Sequence, residues 1–238
     1  LILGWIGCSL ICGAIEWRPH LWITGPKGCG KSTLDGLVCG ILGDLALHIQ
    51  GSTTEAGLRQ SLNGDSRPIL FDEFEADGKH ADAVIDTARS AASNNAAPVV
   101  KGTPEGNPVY YKLQFAAMFS GIIANAKRDA DRSRIVFLEM HRVARDEDQR
   151  QRLIDNRERF RVDFGSGLLR RMLDTLTSGK FDAALSIFKH AIRLAGGDER
   201  KADVFSHLLA AHHVLTSDAE IDPCGAKELV CLVMEMDE

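Results

Sequence analysis

A short glycine-rich segment near the start of the chain has the residue types that bind phosphate. From Gly25 to Ser32 it reads Gly-Pro-Lys-Gly-Cys-Gly-Lys-Ser, and it follows the apolar run Leu21–Ile23. The glycines let backbone N–H groups face phosphate oxygens, Lys31 can neutralise the outer phosphates, and the Ser32 hydroxyl can hold Mg²⁺. A helix predicted over residues 32–42 adds the positive end of its dipole. The segment predicts a nucleotide site formed by Gly25, Pro26, Lys27, Gly28, Cys29, Gly30, Lys31, Ser32 and Thr33.

Two acidic residues end a second apolar run. Residues 68–71 predict a buried strand, and Asp72 and Glu73 follow it directly. This is the Walker B pattern, in which Asp72 holds Mg²⁺ through water beside Ser32 and Glu73 polarises the attacking water. The strand must then lie next to the strand of the phosphate loop, or one strand away. Either motif could arise by chance, as a glycine-rich turn or as a strand that happens to end in acidic residues, but their order along the chain favours an ATP site.

Strand-like and helix-like segments alternate through the first part of the chain, which predicts a parallel sheet with helices on its faces. The predicted strands cover residues 20–24, 45–50, 68–71, 118–123 and 134–140, and the predicted helices cover residues 32–42, 53–62 and 80–94. Ser52 or Thr53 would cap the second of these helices. A Gly/Pro/Asn cluster between two short β runs predicts a hairpin over residues 99–115. The expected fold class is α/β, with a five-stranded parallel sheet flanked by helices.

The sequence changes character after the last predicted strand. Charged, helix-like sequence follows, so we expect an ATPase core over residues 1–145 and a helical C-terminal subdomain over residues 146–238. Residues 1–17 would form a buried helix packed on the core, because the apolar stretch is too short to span a membrane comfortably. The first residue is leucine, so we expect further domains to flank this chain in a longer protein.

Composition limits the class of protein and its location. The chain has 238 residues, of which 45% are hydrophobic and 26% are charged, as is typical of a soluble globular protein. A net charge of −5 argues against a uniformly basic surface but not against a local nucleic-acid site. The six cysteines lack zinc-ligand spacing, and a disulfide at Cys29 would obstruct the phosphate loop. We therefore expect a reduced, cytoplasmic location and no membrane partner.

Together these segments resemble the AAA+ fold of P-loop NTPases. More narrowly, they resemble the helicase-like ATPase domains of phage and mobile-element primase–helicases, which are related to superfamily 3 helicases. Residues 53–60, 88–93 and 101–106 are similar to segments of such proteins, and the resemblance covers residues 20–145. It implies an ATPase that uses ATP and Mg²⁺, assembles into a ring, in most cases a hexamer, and acts on single-stranded or forked DNA. The implied role is a helicase or translocase motor in phage or mobile-element replication.

The resemblance also implies roles for residues beyond the two nucleotide motifs. A polar sensor residue that orients water would be Asn125 or, as second choice, Ser120. An arginine finger, which reaches the nucleotide of a neighbouring subunit, would be Arg134 or, as second choice, Arg132. Each has a simpler alternative, since Asn125 could be an ordinary strand-end residue and the arginines could belong to a solvated basic loop.

The predicted hairpin would project into the central pore of such a ring. Lys101 or Lys112 could then bind the DNA backbone, and Tyr110–Tyr111 could stack on bases. The turn of the hairpin contains Glu105 and no lysine or arginine, so an ordinary surface hairpin is the alternative.

Two other classes of protein could carry the same motifs. One is a non-helicase AAA+ switch, such as a loader or a defence-system regulator, in which ATP assembles a ring without unwinding. The other is a P-loop small-molecule kinase. Asp72 followed by Glu73 disfavours the kinase, because its nucleophile is the acceptor and needs no water-activating glutamate.

Overall fold

A parallel sheet of five strands lies at the centre of the computed structural model. In spatial order the strands are β2 (Leu47–Gln50), β3 (Ile69–Asp72), β6 (Ala117–Ser120), β1 (His20–Thr24) and β7 (Ile135–Glu139). Every neighbouring pair is parallel, so all carboxyl ends meet at one edge of the sheet. The structure describes residues 1–75, 80–102, 106–122, 133–142, 148–149, 151–152, 155 and 163–236. The predicted α/β fold class is confirmed.

The strands differ slightly from the apolar runs that predicted them. β2 begins at Leu47, because Gly43–Leu45 forms a turn of 3₁₀ helix. β6 begins one residue earlier than predicted and ends at Ser120, after which the Gly121 N–H donates to the Ile23 carbonyl at 3.1 Å. These differences leave the order and direction of the strands unchanged.

Each of the first three strands is followed by a helix: α2 (Lys31–Leu42) after β1, α3 (Glu55–Ser61) after β2 and α4 (Ala81–Ala91) after β3. Thr54 caps α3, since its Oγ1 accepts a hydrogen bond from the Gly57 N–H at 3.2 Å. The prediction of Ser52 or Thr53 as the cap is wrong. The Thr53 hydroxyl instead donates to the backbone within the turn that leads into the helix.

Aromatic side chains form the core on the face that α3 and α4 cover. Phe71 stacks on Phe119 with ring centroids 4.8 Å apart, and Trp22 lies 5.2 Å from Phe119. Phe74 also lies 4.8 Å from Phe119, and all four side chains are fully buried. Because neighbouring residues of each strand face the opposite side, this cluster fixes the register of β1, β3 and β6.

The opposite face of the sheet shares its core with α1 (Ile2–Leu10), α2 and four C-terminal helices: α5 (Asp163–Thr177), α6 (Lys180–Leu194), α7 (Glu199–Thr216) and α8 (Pro223–Met236). α1 meets α7 so closely that a Cβ on Gly4 would collide with the Leu208 carbonyl. α5 meets the end of α2 in the same way, because a Cβ on Gly165 would collide with the Ile41 carbonyl. The predicted domain boundary after residue 145 lies outside the described residues. Within the described part of the chain, no helix has both the length and the apolar character needed to cross a membrane.

A two-stranded hairpin forms a separate small sheet. β4 (Val99–Gly102) pairs antiparallel with β5 (Pro108–Tyr111), and Val100 lies opposite Tyr110. The hairpin is tied to α3 by Arg59, whose guanidinium lies 4.8 Å from the Tyr111 ring centroid and forms an ion pair with Glu55. The hairpin prediction is therefore confirmed, with residues 103–105 of its turn outside the described ones.

Buried histidines make the stability of this fold depend on pH. His20 lies at the start of β1, where its Nε2 donates to the Ala88 carbonyl at 2.8 Å and its Nδ1 accepts from the Ala117 N–H at 2.9 Å. Only the neutral ring can make both bonds. Burial lowers the pKa of His20 to about 4, and burial likewise lowers the pKa of His207 in α7 to about 4. An unfolded chain takes up these protons near the ordinary histidine pKa of 6.5.

We expect the free energy of unfolding to fall as the pH is lowered from about 7 to about 4.5. A lowered pKa in the folded state contributes stability that is complete above about pH 6.5 and is lost as the pH falls toward the folded-state value, with at most about 3 kcal/mol from each histidine. Urea unfolding at a series of pH values measures this slope. His20→Gln should reduce the slope, whereas His190→Gln, at an exposed position, should keep it. Equal slopes in all three proteins would contradict the assignment.

Candidate nucleotide-binding site

The predicted phosphate loop connects β1 to α2. Its backbone has positive φ angles of 149° at Gly25 and 105° at Gly30, which residues with side chains rarely adopt. A Cβ on Gly25 would in addition collide with the Met140 carbonyl, just beyond the end of β7. The loop is thus held against the neighbouring strand in a conformation that only glycine allows.

Lys31 is folded over this loop. Its Nζ donates to the Gly25 carbonyl at 2.5 Å and lies 3.4 Å from the Pro26 carbonyl. α2 begins at Lys31, and its N-cap residue, Gly30, has no side chain that could accept a hydrogen bond from the first N–H groups of the helix. A cation beside an uncapped helix N-terminus is suited to bind phosphate.

β3 brings the two acidic residues to the same edge of the sheet. One strand, β6, separates β3 from β1, which satisfies the spacing that the Walker B interpretation requires. Asp72 is the last residue of β3 and pairs with Gln50 of β2. Glu73 follows with a φ of 51°, and no other non-glycine residue in the described part of the chain has a positive φ. Backbone strain of this kind costs roughly 1–3 kcal/mol and is concentrated at functional sites.

The backbone turn at Asp72 and Glu73, at the end of β3, is called the Asp72–Glu73 corner. Glycines directly after both neighbouring strands leave room for it. A Cβ on Gly51, directly after β2, would lie 2.5 Å from the Glu73 carbonyl oxygen and 2.6 Å from the Phe74 Cα. A Cβ on Gly121, directly after β6, would collide with the Phe74 carbonyl, while the Phe74 N–H donates to the Ser120 carbonyl at 2.7 Å. The backbone that carries Glu73 is therefore held from both sides.

We expect Gly51→Ala to displace this corner and to destabilise the chain by about 1–3 kcal/mol, because the added methyl overlaps backbone atoms that cannot move aside cheaply. Gly40→Ala is the matched control. Gly40 lies inside α2 with nothing within 4 Å of its added Cβ, so alanine should stabilise that helix by about 0.5–1 kcal/mol. Thermal unfolding of both variants measures the difference, and a Gly51→Ala protein as stable as the parent would show that the corner is not constrained.

A cleft of about 330 Å³ opens beside the corner. Its walls include the turn after β2, the carboxylates of Asp72, Glu73 and Glu75, and His80 at the start of α4. Glu73 itself is exposed. Solvent water therefore has direct access to the carboxylate that the Walker B pattern assigns to water activation.

Asp35 of α2 also lies at this edge, although no sequence motif singled it out. Its Oδ2 accepts a hydrogen bond from the Ser120 hydroxyl at 2.7 Å. Burial raises the pKa of Asp35, the hydrogen bond from Ser120 lowers it, and the nearby Asp72 carboxylate raises it further. Helical spacing gives the one sequence signal for this residue, since Asp35 follows Ser32 by about one turn.

The residues predicted as sensor, arginine finger and DNA contact lie in different parts of the chain. Ser120, the second choice for the sensor, lies at the end of β6 between β1 and β3 and is buried. Asn125 and Arg132 lie outside the described residues. Arg134 directly precedes β7, whose first residue pairs with His20 at the start of β1, so Arg134 lies at the edge of the sheet opposite the phosphate loop. Lys101 and Lys112 are exposed at the hairpin.

Two solved structures have a similar fold. The active helicase SCCmec type IV Cch matches with a TM-score of 0.59 at 17% identity, over 99% of this chain and 47% of that one. A candidate ATPase from Cytophaga hutchinsonii matches with a TM-score of 0.53 at 10% identity, over 96% of this chain and 78% of that one. No protein-family model and no curated protein matches the sequence.

These likenesses define the class of fold. The chain has the α/β fold of P-loop NTPases, with a five-stranded parallel sheet. It spans about half of the SCCmec helicase, 47% of that chain.

Proposed function

We propose that this chain is the ATPase domain of a ring-forming DNA helicase or translocase that serves phage or mobile-element replication. The observation that supports the proposal most is the meeting of the phosphate loop and the Asp72–Glu73 corner at one edge of the sheet. Glu73 has a strained backbone that is packed against the glycines after both neighbouring strands. Strain of this kind is typical of a residue whose side chain must be positioned for function.

The phosphate loop, Lys31 and the acidic residues at this edge have separate roles in ATP hydrolysis. The loop N–H groups and Lys31 bind the phosphates, with Lys31 leaving the carbonyl oxygens that it now contacts. Glu73 orients the attacking water and takes its proton. Ser32 and Asp72 are the hard oxygen donors that Mg²⁺ prefers, and a buried Asp35 oxygen without a partner among the described residues fits a nearby ion. When bound, the ion neutralises charge on the phosphates.

The position of Arg134 supports a ring. β1 extends from the edge where Arg134 lies to the edge of the phosphate loop, a distance of roughly 15 Å for five residues. In the proposed assembly, a hexamer, Arg134 therefore serves the nucleotide of the neighbouring subunit and not its own.

The hairpin is the proposed DNA contact. Lys101 and Lys112 are exposed there, and Tyr110 is 60% exposed. Tyr111 is already engaged by Arg59, so Tyr110 is the residue available to stack on a base. In a ring that encircles single-stranded or forked DNA, these side chains would bind the DNA strand.

A non-helicase AAA+ switch is the second candidate. The observation in its favour is the hairpin turn, which has Glu105 and no basic residue in a chain of net charge −5. Such a protein would hydrolyse ATP and assemble, but DNA would not drive its turnover.

The two candidates differ in their response to DNA. We expect the ATPase rate to rise when single-stranded DNA is added, and the full-length protein to separate a forked duplex. Replacing Lys101 and Lys112 together with alanine should remove the stimulation, whereas Lys227→Ala, at an exposed position of α8, should keep it. Intact hydrolysis without any DNA stimulation would favour the switch, and a chain that binds no ATP would exclude both.

A further inference from the structure

Asp35 joins the phosphate-loop helix to the middle of the sheet. Its Oδ2 accepts the Ser120 hydroxyl at 2.7 Å, and the two residues are 8% and 4% exposed. A hydrogen bond to a carboxylate is stronger than one between neutral groups, and more so away from water. One oxygen of Asp35 is therefore fixed in direction, which also fixes the other.

The second oxygen of Asp35 lacks a partner. Oδ1 is buried and accepts no hydrogen bond from any described residue, whereas buried carboxylate oxygens almost always accept one. The Asp72 carboxylate and the Lys31 ammonium both interact electrostatically with Asp35. Asp35 and Asp72 are thus two carboxylates that interact electrostatically beside the phosphate loop, and carboxylate oxygens are the donors that Mg²⁺ and its bound water prefer.

We propose that Asp35 is a positioning residue of the metal site, whose Oδ1 accepts a hydrogen bond from a water molecule bound to Mg²⁺ while its Oδ2 holds Ser120. The inference rests on the proposed function, because it needs Mg²⁺ bound with nucleotide at Ser32 and Asp72. Asp35 lies about one helical turn after Ser32 and so faces the same side of α2. Through it, the metal ion is linked to the end of β6.

A purely structural role is the competing explanation. In that case Asp35 only ties α2 to β6, and its loss would lower stability without changing how tightly the metal binds. A measurement of metal affinity separates the two, because a tie between helix and strand does not by itself bind an ion.

Asp35→Asn is the discriminating variant. Its amide oxygen can still accept from Ser120, but an NH₂ group replaces the oxygen that would accept from metal-bound water. We expect the dissociation constant for Mn²⁺ in the presence of ADP, measured by electron paramagnetic resonance, to rise about 10–100-fold. ADP affinity in EDTA should stay unchanged. Asp44→Asn, at an exposed position beyond the other end of α2, should leave both constants unchanged.

A double variant protects the test against misfolding. Asp35→Ala with Ser120→Ala removes both partners together, so that no buried hydroxyl is left unpaired, and it should weaken Mn²⁺ binding to a similar extent. Melting in EDTA checks that each variant is folded. Unchanged Mn²⁺ affinity in a folded variant would overturn the inference alone. Absence of ADP binding in the parent protein would instead overturn the proposed function.

Discussion

Replacing Glu73 with glutamine is expected to stop ATP hydrolysis while ATP still binds. The amide keeps the size of the side chain but cannot take a proton from water, and loss of a general base costs about 10²–10⁴-fold in rate. The positive φ at Glu73 and the contacts from Gly51 and Gly121 are backbone features, so the corner should keep its shape. Phosphate release measures turnover, and a fluorescent ATP analogue measures binding.

Glu75→Gln is the matched control for this experiment. It removes the same charge two residues further on, from the same cleft wall, and should leave turnover within a few-fold of the parent. If the Glu73→Gln protein hydrolysed ATP as fast as the Glu75→Gln protein, Glu73 would not be the residue that activates water.

Replacing Arg134 with alanine is expected to slow hydrolysis by about 10³–10⁵-fold in the proposed ring, the effect that arginine fingers have in other phosphoryl-transfer enzymes. ATP binding should persist, because Arg134 lies at the edge of the sheet opposite the phosphate loop of its own subunit. Arg170→Ala, which removes an arginine whose side chain is 81% exposed, should hydrolyse ATP normally.

Mixing the two inactive variants tests whether the site is shared. A ring of Glu73→Gln and Arg134→Ala subunits contains interfaces in which one subunit supplies an intact Glu73 and its neighbour an intact Arg134. Activity should return on mixing. If mixed rings stayed inactive although each variant assembled, Arg134 would not act across the interface.

The class of fold could be predicted because its signals are local in the sequence. The phosphate loop and the Asp72–Glu73 pair each follow a short apolar run. The two strands that these runs form are separated by one strand, as the Walker B pattern requires. The helix cap was missed for a physical reason. Ser52, Thr53 and Thr54 are consecutive and can all cap a helix, and the path of the chain after β2 selects Thr54.

The remaining features of the site depend on contacts between distant parts of the chain. Asp35 and Ser120 are 85 residues apart, so no motif joins them. The positive φ of Glu73 likewise depends on Gly51 and Gly121, which belong to the turns after two other strands. Sequence patterns give the residue types at such a corner, but its shape is set by the neighbouring strands.

The close approach of α5 to the end of α2 has a mechanical consequence. α2 has 12 residues, which makes it a stiff rod of about 18 Å. One end carries Lys31 at the phosphate loop, and the other end abuts the backbone of α5 at Gly165. We therefore expect any tilt of α2 that accompanies a change at the phosphates to move α5 and the C-terminal helices packed against it. Because Gly165 has no side chain, the two backbones are in direct contact at this point.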